Sequence, residues 1–92
     1  MILGLFTKQP VDVFSYTVDY NEWLTDGDNV QSTIANVDQT GMVIDAVFVN
    51  DPLIKLIISG GNHGTTYKIT VTTTTADGLV KQDEFKIKVK EI

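Results

Sequence analysis

The sequence contains no cysteine, no arginine, one histidine and one tryptophan among its 92 residues, and each shortage excludes a class of explanation. Without cysteine, neither a disulfide nor a thiolate metal site can staple the fold, so apolar burial must hold it. Without arginine, the chain lacks the bidentate reader of phosphate and guanine. With a net charge of −5 as well, nucleic acid is not an expected partner. The longest apolar run at the start, Met1-Ile2-Leu3-Gly4-Leu5-Phe6, has no basic stretch before it and Lys8 close behind. It is too short for a membrane span or a signal-peptide core. It reads instead as an N-terminal arm over residues 1–10, closed by Pro10, that docks on the domain or on a neighbour.

What is present is β-branched. Thr, Val and Ile number 12, 11 and 9, against only 6 Leu and 3 Ala, and stiff branched side chains favour a pleated surface. The length suits one core. Charge is unevenly spread: residues 1–54 carry eight acids and one lysine, whereas residues 55–92 carry six lysines and four acids.

Alternation places the strands. Phe14, Tyr16, Val18 and Tyr20 share one face, with Ser15, Thr17 and Asp19 on the other. Asn21 to Thr25 is too short for an independent helix and predicts a single turn that drops Trp23 or Leu24 into the core. Asp26-Gly27-Asp28-Asn29 is a turn in which Gly27 can take positive φ. Val30–Val37 is a weaker strand, and Met42–Val49 reads as one or two short ones after the break at Gln39-Thr40-Gly41. Asn50-Asp51-Pro52 turns the chain. Ile54, Leu56 and Ile58 then face inward, with Lys55 in water. Gly60 to Gly64 is a loop with left-handed positions. Tyr67, Ile69, Val71 and Thr73 share an inner face, Ala76-Asp77-Gly78 closes a hairpin, and Phe85, Ile87 and Val89 point inward opposite Lys86, Lys88 and Lys90.

About seven short strands, with a turn roughly every 8–12 residues, predict an all-β sandwich, with a small closed barrel as the alternative. Tyr67, near the start of the penultimate strand, occupies the place where immunoglobulin-like sandwiches keep a tyrosine that ties down the preceding loop. The expectation is a single immunoglobulin-like β-sandwich of antiparallel strands over residues 11–92, preceded by the arm.

No chemistry emerges from the candidate motifs. His63 has no second histidine and no cysteine to complete a metal site or a triad. Asp26-Gly27-Asp28-Asn29 starts like a calcium loop, but Gln31 and Val37 stand where that loop needs Gly and Glu. Gly60-Gly61-Asn62-His63-Gly64 leads into a strand, not into the helix a phosphate loop requires. Asp19, Glu22 and Asp28 have no deep cleft in which to work as glycosidase carboxylates. The Lys86, Lys88, Lys90 stripe reads as a solvated face that protects the strand from edge pairing, or as a contact for an acidic neighbour.

Pro10-Val11-Asp12 with Phe14-Ser15-Tyr16-Thr17-Val18-Asp19-Tyr20-Asn21-Glu22-Trp23-Leu24 resembles the opening of small tailed-phage proteins. Leu56-Ile57-Ile58-Ser59-Gly60-Gly61, then Gly64-Thr65-Thr66-Tyr67 and a strand, is similar to the same family's central segment. The family is that of phage fibre–tail adaptors and small virion proteins. The resemblance implies a non-catalytic structural subunit of the virion, without cofactor, metal or small-molecule substrate. Its partners would be other tail, fibre or capsid proteins, met in several symmetric copies, and neither membrane nor nucleic acid. A capsid decoration protein and a carbohydrate-binding fibre module are the alternatives. Residues 38–52 are more hydrophobic than the resemblance implies. The expected contact residues are therefore Ile2, Leu3, Leu5 and Phe6 of the arm, with Val47, Phe48 and Val49.

Overall fold

The computed structural model describes residues 2–91, with the side chains of Ile2 and Leu3 outside the description. The strands are β1 (Ile2–Lys8), β2 (Phe14–Asp19), β3 (Val30–Val37), β4 (Met42–Asn50), β5 (Leu53–Gly60), β6 (Thr66–Thr75) and β7 (Val80–Val89). They form two sheets, ordered β1-β7-β6-β3 and β2-β5-β4. All pairs are antiparallel except β1 with β7, which is parallel.

The core lies between the sheets, where period 2 places it. Ile54, Leu56 and Ile58 of β5 face Tyr67, Ile69 and Val71 of β6 and Ile87 and Val89 of β7, all fully buried. Val18, Tyr20, Val30, Met42 and Phe85 complete it. Trp23 and Leu24 both pack against this core. Their N–H groups donate to the carbonyl of Tyr20 at 3.0 Å, which makes the expected single turn.

Tyr67 ties down its corner. Its hydroxyl accepts from Asn62 N–H at 3.0 Å and donates to the Thr40 carbonyl at 3.2 Å. Gly41, at φ 107°, passes so close that an added Cβ would lie 2.7 Å from that hydroxyl. Only glycine fits there, both for its backbone angle and for the space.

Two expectations left open are resolved. The N-terminal segment docks on its own domain, as an edge strand of the first sheet. The backbone of Leu5–Lys8 pairs in unbroken register with Lys86–Val89, so strand hydrogen bonds are satisfied within the chain. The stretch expected to hold one or two strands forms a single one, Met42–Asn50. Register slips between Ile44 and Ala46 at a β-bulge. The extra residue, Asp45, turns toward solvent and lets Ile44 and Val47 both face inward. A similar slip between Val30 and Ser32 turns Thr33, Ala35 and Val37 inward and leaves Ile34 exposed.

Candidate functional site

The sheet order separates the expected contact residues. β1 lies over β2 at one long side of the sandwich, and β4 lies beside β3 at the other. Leu5 and Phe6 therefore fall on one side, and Val47, Phe48 and Val49 on the opposite one.

On the β1/β2 side, successive residues of the edge strand point oppositely. Leu5, aligned with outward-facing Lys86, is 66% exposed on the outer face of the first sheet. Phe6, aligned with Ile87, points between the sheets. Its ring stacks at 5.2 Å from Tyr16 and 5.7 Å from Phe85, yet 42% of the residue stays open to solvent. A groove of about 340 Å³ runs beside it, walled by the consecutive residues Ser15 to Asp19 and floored by Phe6 and Phe85. One wall of the groove is thus the free backbone edge of β2. The Tyr16 hydroxyl is buried with no hydrogen-bond partner among the described residues. Burial first, and the charge of Asp12 second, push its pKa up, so it stays a neutral donor.

On the other side, Phe48 is 55% exposed. It stands in a row with Lys55 and Thr17 across the outer face of the second sheet. A shallow groove of about 350 Å³ lies between these residues, Asn50 and Leu53. Val49 faces inward at the strand end and is 43% exposed. Val47 packs against the core, which leaves Phe48 and Val49 as the accessible pair.

The structure also places residues that the sequence analysis passed over. Lys8 is buried, its Nζ donating to the Gln9 carbonyl at 2.7 Å and more weakly to that of Pro10 at 3.4 Å. Burial lowers its pKa, and Asp12 opposes the shift. The signal was the period: Lys8 is two residues after Phe6 and shares its inward phase. The same phase carries Asp83, two before Phe85, into the interior, where Lys81 Nζ reaches its Oδ1 at 3.0 Å. Lys81 also lies 5.8 Å from the Trp23 ring centre. Val11 and Val13, in the β1–β2 connection, add exposed apolar surface beside Phe14. His63 is exposed, and its Nδ1 accepts from Glu91 N–H at 2.8 Å. Among the described residues, no three His, Cys, Asp or Glu side chains are placed to hold a metal ion.

The arrangement is an immunoglobulin-like β-sandwich with exposed apolar side chains at the β1/β2 edge and, around Phe48, on the outer face of the second sheet. The chain aligns over 96% of its length with 79% of the solution structure of the PKD domain from KIAA 1837 protein, at a TM-score of 0.50 and 25% identity. None of the curated proteins compared matches it. Residues 8–88 match the family described as podophage GP4 fiber-tail adaptor protein gp77, and the chain belongs to that family. It is a non-catalytic structural protein of the bacteriophage virion, of the tail/fibre adaptor type, and other virion subunits are its partners.

Proposed function

We propose that the two edges are two distinct contact faces, and that the protein joins one virion neighbour through each. The observation that carries this reading is the separation of Leu5 and Phe6 from Phe48 and Val49 across the width of the sandwich. A single-partner module needs one such patch; a connector needs two.

The β1/β2 side suits an extended segment of the neighbour. The free edge of β2 offers backbone N–H and C=O groups, and the groove takes apolar side chains against Phe6 and Phe85. The β4 side suits a flatter contact centred on Phe48, the kind of aromatic that anchors interfaces. Several copies on a symmetric tail would let modest single contacts add up.

The test uses Leu5→Asp and Phe48→Asp, both at exposed positions, with purified tail and fibre proteins. Each variant should keep the native melting temperature and lose at least about tenfold in affinity for one neighbour only, equivalent to about 1.4 kcal/mol. If both variants bind both neighbours as the native chain does, the two-face reading fails. Selective binding to the major capsid protein would replace it with the decoration reading.

A further inference from the structure

The sandwich is 45 Å long and about 20 Å across, and six of its acids gather at one end, while Asp12, Asp38 and Glu91 lie at the other. Three turns meet at one end. Asp28 Oδ1 accepts from Asp77 N–H at 3.0 Å, Asp51 Oδ1 accepts from Val30 N–H at 2.7 Å, and Tyr20 N–H donates to the Pro52 carbonyl at 3.0 Å. These bonds tie together the turns that carry Asp19, Asp28, Asp51 and Asp77, with Glu22 and Asp26 exposed on the β2–β3 connection, into one acidic tip. The nearest inward lysine there, Lys81, is already engaged by Asp83.

Toward the other end, the outer face of the first sheet carries Lys86 and Lys88, with Lys90 following just past β7. Lys68 of β6 stands directly opposite Lys86. Like charges placed opposite on a sheet are destabilising, and Glu84, 3.7 Å from Lys68, answers only one of them. Among the described residues, Lys86, Lys88 and Lys90 form no ion pair. The stripe from Lys86 to Lys90 is about 13 Å long at the rise of a strand, short enough for the tip to cover.

We infer that this lysine face docks the acidic tip of a second copy of the chain. The two surfaces differ, so the contact is head-to-tail; a two-fold dimer through the face would set lysine against lysine. Head-to-tail contacts close into a ring where the rotation permits. The inference extends the reading that several copies act together. Purified protein alone tests it, so it can fail while binding to tail and fibre proteins survives.

Sedimentation velocity over a concentration series gives the test. The native chain should self-associate at low ionic strength and come apart toward 1 M salt, where the screening length falls to about 3 Å. The variants Lys86→Glu/Lys88→Glu and Asp26→Lys/Asp77→Lys should each weaken self-association at least about tenfold. Mixed, they should form a one-to-one complex, because the intact acidic tip of the first variant meets the intact lysine face of the second. A native chain that stays monomeric at low salt, or reversed-charge variants that associate as the native does, would overturn the inference.

Discussion

Among the described residues, Lys81 and Asp83 form the one ion pair in which a carboxylate is almost wholly buried, the Asp83 side chain being 1% exposed and that of Lys81 21%. Removing one member leaves a charge without its partner in a poor solvent. Lys81→Met should therefore lower stability by about 3 kcal/mol, whereas Lys88→Met on the solvated face should stay within about 0.5 kcal/mol; urea unfolding of the two separates them. Tyr67→Phe deletes the hydroxyl that serves both Asn62 and Thr40. The expected loss is about 1–2 kcal/mol, a fall in melting temperature of roughly 4–8 °C per kcal/mol for a domain of this size. Gly41→Ala should be worse, since it combines a left-handed backbone with a clash on the same hydroxyl. At Asp28, burial raises the pKa, but the neighbouring Thr75 hydroxyl and the N–H groups of Asp77 and Asn29 outweigh it and hold the carboxyl below 3.8. A depressed carboxyl contributes stability that is present above its unfolded pKa and lost as pH falls through the folded one. Acid titration of Asp28→Asn should accordingly show a weaker fall in melting temperature below pH 3.8 than the native chain.

The elements differ in how plainly the sequence announces them, and the reason is local. β5, β6 and β7 alternate without interruption, so Ile54, Tyr67 and Phe85 could be placed inward from their spacing alone. β3 and β4 each contain a bulge, and a bulge shifts the phase by one residue. Nothing in Val30–Val37 marks Ile34 as the exposed member, because its burial depends on where the ladder slips against β6. β1 was obscured differently. An apolar hexapeptide before a proline fits an arm as well as a strand, and the choice rests on β7 offering a free parallel edge, which is a tertiary fact. The buried Lys8 and Asp83 were legible in principle through the phase of Phe6 and Phe85; charge masked it, since charged residues are almost never fully buried unless paired. The residues expected to make contacts stand out as apolar segments, but their division between two sides of the sandwich required the sheet order.

At the scale of the molecule, a 92-residue sandwich without cross-links has a limited core. Family membership makes it a tail/fibre adaptor of the bacteriophage virion, and the layout is that of a rod with apolar edges, one acidic tip and one lysine face. In the proposed reading, edges and ends serve different contacts: the edges face unlike neighbours, and the ends face another copy. Salt should therefore affect the two unequally, weakening contact between copies far more than contact through Phe6 or Phe48. Hydrogen–deuterium exchange of the chain, free and assembled in the tail, decides between one contact edge and two. Exchange should slow at both edges, over Leu5–Thr7 with Ser15–Asp19 and over Val47–Val49, in the assembled particle. Protection confined to one edge, with the other exchanging as in the free chain, would contradict the two-face reading.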